Sequence, residues 1–294
     1  LMIGFDLRKA TPEQLAILGN RDVIALNQDP GGHQAVLAYD TDAMQIYVKT
    51  LASGEKAVAL FNRTNDPIRA NLTAAQMKFM SDHEVKLTDL WTGNEVRFTG
   101  ETELDLAPRQ TLVFRASGKR QLAEGMYLSE LPGNVFPAAD GVTSLQHDPS
   151  IHRGMGPWTG TRGGGERPRY AGWGGARADS SPWGEILSIS GRKFASGLGV
   201  MANSRLEVRN AGYNRMTAQV GLDDSGSGGT RRVRFEVYGD GKLLTRTGWI
   251  KSGDAPQAID AAVAGIRIVE LVARTDKRGG TDFPVTWGEA ALLQ

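Results

Sequence analysis

At 294 residues, with 40% hydrophobic and 23% charged residues, the chain has ordinary globular composition and exceeds what a single core usually organises. Its formal net charge is +1, with 12 basic against 15 acidic residues in 1–118 and 22 against 18 in the remainder, so neither part carries the clustered basic footprint of a nucleic-acid binder. The absence of cysteine excludes disulfides and thiolate chemistry, and no apolar run of about 18 residues is present to cross a membrane.

Leu1-Met2-Ile3-Gly4-Phe5 is a continuous apolar run, the pattern of a strand buried on both faces, and it ends in Asp6-Leu7-Arg8. Thr11-Pro12-Glu13-Gln14 reads as a helix start: Thr11 caps, Pro12 suits the first helical position, and Gln14 closes a capping box. Leu15 and Leu18 supply a stripe expected to be buried, and Gly19-Asn20 breaks it. Val23, Ile24 and Leu26 continue as a second short helix that stops at Asp29-Pro30-Gly31-Gly32. One βα unit cannot bury its own faces. A chain that opens inside a strand, with no signal peptide before it, is therefore expected to be truncated or processed.

From about residue 36 the period becomes two. Met44, Ile46 and Val48 alternate, as do Val58 with Leu60, Val96 with Phe98, and Leu112 with Phe114. Ser53-Gly54, Asn65-Asp66-Pro67 and Thr92-Gly93-Asn94 punctuate these runs. Seven or eight short strands at that spacing predict an antiparallel sandwich over 33–118. A linker is expected at 119–125, and a second β-rich domain at 126–294, with strands at 186–189, 205–208, 215–220, 232–238, 242–247 and 266–273. Residues 133–170, rich in Gly, Pro and Arg, read as a long insertion.

Residues 1–32 resemble the last βα unit of the (β/α)8 barrel of melibiase-type α-galactosidases, glycoside hydrolase family 27. The match rests on Leu1 to Arg8, Thr11-Pro12-Glu13, and Asp22-Val23-Ile24-Ala25-Leu26-Asn27-Gln28-Asp29-Pro30. Members usually have Asn where Phe5 stands. Ala57 to Arg63 and Asp89-Leu90-Trp91-Thr92-Gly93 are similar to the C-terminal β-sandwich of those enzymes. The third segment resembles the NPCBM carbohydrate-binding module, a jelly-roll type sandwich. Its matching pieces include Gly172-Trp173-Gly174, Gly197 to Ser204, Val220-Gly221-Leu222-Asp223-Asp224 and Val237 to Gly241. That family commonly has His where Met201 stands.

The expected architecture is therefore mainly β: two β-sandwich domains preceded by the last βα unit of a truncated (β/α)8 barrel. The resemblance implies a retaining hydrolase of terminal α-galactosides, extracellular or periplasmic and bacterial, needing no cofactor for catalysis. Retaining glycosidases use two carboxylates about 5–5.5 Å apart. In the melibiase family both are aspartates on earlier barrel strands, so this chain is expected to lack them. Asp6, at the end of a barrel-like strand, reads as a carboxylate tying the strand end to a neighbouring loop.

A neutral sugar needs an aromatic plate and a few fixed hydrogen-bonding groups. Trp173, between glycines, is the candidate plate; a packed sandwich tryptophan is the competing reading. Arg177, Met201, Asn203 and Asp224 are candidate contacts, with Asn203 read alternatively as a turn-former. Trp249 and Trp287, on strand-like segments, are expected in the core. Asp223 and Asp224, with Asp282, suit a hard cation such as calcium, although adjacent acids beside a Gly/Ser turn also describe a solvated loop. Galactose-containing glycans are the expected partners. The rivals to an enzyme region are a pure glycan-binding chain and a structural spacer.

Overall fold

The computed structural model describes residues 6–131, 135–137, 176–202, 204–226, 230, 232–276 and 283–294. They divide into two compact units, Leu1–Ala123 and Glu124–Gln294.

In the first unit α1 (Pro12–Leu18) begins with the expected capping box. Thr11 Oγ1 accepts from the Gln14 amide at 3.2 Å, and Gln14 Oε1 accepts from the Thr11 amide at 2.9 Å. The stripe is not buried: Leu15 is 50% exposed and Leu18 only half-buried, Ile17 is 57% exposed as well, and no residue of α1 is in the core. A second helix, α2 (Arg21–Asn27), is capped by Asn20, whose side-chain Nδ2 donates to the Leu90 carbonyl at 2.8 Å. The Asp29 carboxylate accepts from the Ala52 amide at 3.0 Å. Both contacts tie the helical segment to the sheet that follows.

That sheet comprises β1 (Val36–Asp40), β2 (Met44–Thr50), β3 (Lys56–Asn62), β5 (Glu84–Asp89), β6 (Glu95–Thr99) and β8 (Thr111–Gly118), ordered β1-β2-β3-β8-β5-β6. Facing it is the antiparallel pair of β4 (Ile68–Thr73) and β7 (Glu101–Leu106). The alternating residues Ile46, Val58, Leu60, Leu72, Leu87 and Phe114 point into the shared core. Met77 and Phe79 add to it from the irregular segment after β4, where no period marks them. Asn62, which opens an Asn-Arg-Thr acceptor pattern, is fully buried and donates to the Asp66 and Ala107 carbonyls, so it is closed to glycosylation.

The second unit is a two-sheet sandwich. One sheet, here the β21 sheet, contains β10 (Val135–Pro137), β15 (Ser204–Arg209), β21 (Ile268–Thr275), β17 (Arg232–Gly239) and β18 (Lys242–Arg246) in that order, with β19 (Ile250–Lys251) also on β17. The other, the β22 sheet, contains β11 (Arg177–Ala178), β14 (Gly197–Met201), β22 (Pro284–Leu293), β16 (Arg215–Leu222) and β20 (Gln257–Ala262), with β9 (Gly125–Tyr127) on β22. Between them lies one core, crossed by Phe235 on β17 and Trp287 on β22, whose rings meet edge to face at 5.0 Å and 88°. Trp287 is core as expected. Trp249 is not: it is 38% exposed in the β18–β19 connection, because the strand-like run ends at Arg246.

A bulge in β22 explains its hidden period. Thr217 pairs with Ala291 but Gln219 pairs with Gly288, and Glu289 takes a φ of 50°. Inward positions therefore switch from Val285 and Trp287 to Ala290 and Leu292.

A small hairpin, β12 (Leu187–Ile189) and β13 (Arg192–Phe194), supplies a third layer on the outer face of the β22 sheet. Its turn, Ser190-Gly191, has two positive φ values, 50° and 81°, as a type I′ hairpin requires. Leu187, Ile189 and Phe194 form their own buried cluster. Glycines make room for it: a Cβ at Gly221 would stand 2.5 Å from Ile189 Cγ2, and one at Gly288 2.6 Å from the Phe194 ring.

Candidate carbohydrate-binding site

The ends of three strands in the β22 sheet meet at one edge. Met201 closes β14 and pairs with Pro284, the first residue of β22. Leu222 closes β16 and pairs with Val285, and the Asp223 amide donates to the Pro284 carbonyl at 3.1 Å. Arg177, on the short strand β11, pairs with Gly199 beside this edge. The structure thus gathers Arg177, Met201, Asp223 and Asp224, which lie up to 47 positions apart in the chain. Trp173, Asn203 and Asp282 lie outside the described residues.

Each gathered side chain has a defined setting. Met201 is buried, at 1% exposure, on the side of β14 away from the sandwich core. Arg177 is half-buried. Asp223 is 4% exposed; its Oδ1 accepts from the Ser225 amide at 2.9 Å, and its Oδ2 from the Ser188 amide at 3.2 Å and from the Thr286 hydroxyl. Asp224 is exposed and caps the hairpin turn, its Oδ1 accepting from the Ser190 amide at 2.9 Å and its Oδ2 from the Gly191 amide at 2.8 Å and the Ser188 hydroxyl. All four carboxylate oxygens therefore have protein donors. These acids hold the β12–β13 hairpin against the sheet edge. Among the described residues no group of three or more His, Asp or Glu is arranged to hold a metal ion.

Ser188, Ser190 and Gly191 are the residues of this edge that sequence reasoning passed over. Their signal was the Ser-Gly pair after Leu187-Ser188-Ile189, a hairpin mark that does not reveal which acid closes it.

Asp6 sits apart from this edge in sequence and in chemistry. It accepts from the Arg8 amide at 3.1 Å and from Arg8 Nε and Nη2 at 2.9 Å each, an exposed fork closed within three residues. The Arg8 guanidinium holds its carboxyl below the usual range. A cavity of about 360 Å³ in the first unit is lined by Asn27, His33, Tyr47 and Lys49 with apolar neighbours, and no carboxylate lines it.

Each of the two units is built on a β-sandwich, and polar side chains gather at the strand ends of the second. Residues 41–116 match the α-galactosidase C-terminal β-sandwich domain, and residues 166–293 match the NPCBM/NEW2 domain. The chain therefore carries a C-terminal α-galactosidase region followed by an NPCBM domain. It is 29% identical to alpha-galactosidase A of Aspergillus niger over 142 residues, 48% of this chain and 25% of that protein. Alpha-galactosidase 3 of Arabidopsis thaliana is 34% identical over 99 residues, 33% of this chain and 23% of that protein. The chain thus spans about a quarter of the length of these curated relatives. Among solved structures, the CBM51 of a Clostridium perfringens GH95 protein in complex with methyl-galactose covers 57% of this chain and 99% of its own, at 20% identity and a TM-score of 0.39.

Proposed function

We propose that the chain is the C-terminal region of a retaining α-galactosidase acting on terminal α-galactosides. Its catalytic aspartates would belong to a (β/α)8 barrel of which 1–32 is the final βα unit, and residues 126–294 would attach the enzyme to galactose-containing glycans. The enzyme would be bacterial and work outside the cytoplasm, extracellular or periplasmic. The observation that carries the glycan reading is the gathering of Arg177, Met201 and Asp224 at one edge of the β22 sheet. A guanidinium donor and an exposed carboxylate acceptor at a strand edge suit the hydroxyls of a pyranose, with Met201 packed beneath them. Trp173 and Asn203, which lie outside the described residues, are proposed as further sugar contacts. Leu15 and Ile17, apolar side chains left uncovered on α1, support the barrel reading.

The spacer reading also has an observation in its favour: the Asp223 and Asp224 oxygens are already engaged by Ser188, Ser190 and Gly191. One experiment separates the two. Retention of the chain on immobilised galactose and melibiose, lost in Trp173→Ala with the fold intact, supports glycan binding at the β22 edge. No retention at millimolar sugar density overturns it in favour of the spacer. The chain alone is expected not to hydrolyse a nitrophenyl α-galactoside; turnover that survives repurification and vanishes in Asp6→Asn would overturn the barrel assignment.

A further inference from the structure

The outer face of the β21 sheet holds a polar cluster that the reading above leaves unused. Glu236 on β17 is 2% exposed and accepts from Arg234 Nε at 2.8 Å, Arg274 Nη2 at 3.1 Å and the Tyr238 hydroxyl at 2.9 Å. Burial pushes its pKa up, but the Arg274, Tyr238 and Arg234 donors outweigh burial and hold the carboxyl below its ordinary range. Arg246 on β18 pairs directly with Glu236 and is exposed, so it stands on the same face. Above this cluster lies Trp249: the Arg234 guanidinium sits 5.0 Å from its ring centroid, and the indole remains 38% exposed.

This ring is held on both sides along the chain. Before it, the Thr247 amide donates to the Phe235 carbonyl at 2.9 Å, and the Thr247 hydroxyl accepts from the Phe235 amide at 3.0 Å. After it, Ile250 pairs with Val233. Beside it, a side chain at Gly248 would meet nothing within 4 Å, so the approach is open. A tryptophan serving only the core would be covered, as Trp287 is. An incidental surface tryptophan would not be stacked on an arginine that a buried carboxylate immobilises. Such a buried ionic network is also a weak source of stability in its own right. What the arrangement provides is a rigid, solvent-facing indole with a rim of guanidinium donors, and rigidity lowers the cost of binding.

We propose that Trp249 is a second sugar-contact plate, stacking one C–H face of a pyranoside while Arg234 and Arg246 donate to its hydroxyls. It lies on the opposite sheet from Arg177, Met201 and Asp224, and it does not depend on the face around Trp173. With two such faces, the second unit would grip a multivalent glycan through avidity.

The test uses the full chain with ¹⁵N-labelled tryptophan. The Trp249 Nε1–H signal is the one missing from Trp249→Phe, and it is followed against methyl α-galactopyranoside up to ~50 mM. A saturable shift in both wild type and Trp173→Ala is expected. Trp249→Ala, with its upfield methyl signals unchanged as a check of folding, should lose about tenfold of the retention on galactomannan in affinity electrophoresis. An unmoved Trp249 signal overturns the proposal, whether or not sugar binds through the Trp173 face. A Trp249 shift together with full retention by Trp173→Ala leaves this proposal standing and overturns the β22-edge reading instead.

Discussion

Glu207 and Glu270 face each other across the β15–β21 pairing, both nearly sealed from solvent at 4% and 0% exposure. The Arg205 guanidinium approaches Glu270 to 3.5 Å, while Glu207 on β15 and Asp240 in the β17–β18 turn add negative charge around it. Burial pushes the Glu270 carboxyl up to about 7, and burial also raises Glu207. Two like charges opposite one another in a sheet are destabilising.

The first prediction is a pH dependence of this sheet. An unfolded glutamate titrates near ~4.3, so between there and about 7 the folded chain binds more protons than the unfolded one. Stability is then greatest below that window, falls as pH rises through it, and levels off above it. The loss is on the order of 3 kcal/mol. Hydrogen exchange of the β15 and β21 amides should be slower at pH 5 than at pH 8 after correction for intrinsic rates. Glu270→Gln removes the titrating group and should flatten the profile. A profile that is already flat in wild type would refute the argument.

The second prediction concerns the glycine floor under the small hairpin. Ile189 is buried and branched at Cβ, so it cannot swing away from a methyl group placed 2.5 Å from its Cγ2. Gly221→Ala should destabilise the second unit by about 1–3 kcal/mol through overpacking. Ile189→Ala in the same chain should recover part of that loss, because the two changes share one volume. Strictly additive effects in calorimetry would show that the hairpin does not rest on Gly221.

The legibility of these features in the sequence followed their periodicity. Met44, Ile46 and Val48 alternate cleanly and form β2 with that alternation buried. The caps at Thr11 and Gln14 were also readable, since a capping box is a local motif. The segment around Trp287 was readable as strand-like, but the full length of β22 was not, because the bulge at Glu289 changes which positions point inward midway. β20 escaped for another reason: Gln257-Ala258-Ile259-Asp260-Ala261-Ala262 is rich in alanine, which carries little strand signal. At the candidate edge, the residue types of Arg177, Met201 and Asp224 could be picked out along the chain. Their convergence could not, since it depends on the β14-β22-β16 strand order, a non-local pairing. Trp249 reads as core because its segment is strand-like; its exposure is set by the irregular turn at Thr247-Gly248.

The third prediction addresses the uncovered helix. Leu15 and Ile17 on α1 are 50% and 57% exposed, an apolar surface that drives association. Replacing both, Leu15→Glu with Ile17→Lys, should raise the concentration at which the chain begins to scatter light. The capping box at Thr11 and Gln14 lies outside the change, so helix content by circular dichroism should hold. Unaltered self-association would show that these two side chains are not the contact.

The last prediction turns on Asp224. Its carboxylate accepts from Ser190 and Gly191 in the hairpin turn and from the Ser188 hydroxyl, and its own amide donates to the Ser188 carbonyl at 2.9 Å. Asp224→Ala removes the side-chain bonds and leaves two turn amides to water, while the backbone bond remains. A hydrogen bond contributes about 0.5–1.5 kcal/mol net, and exposure lets solvent replace part of it. The expected cost is therefore about 1–2 kcal/mol, felt first at the hairpin. Exchange of the Ser190 and Gly191 amides should accelerate more than that of the β16 amides. The same variant weighs the cation reading of Asp223, Asp224 and Asp282. If these acids serve the hairpin, adding calcium or chelator should leave wild-type melting unchanged while Asp224→Ala lowers it. If calcium raises wild-type melting and the rise disappears in Asp224→Ala, the carboxylates also bind the ion, because a ligand that binds only the folded form stabilises it.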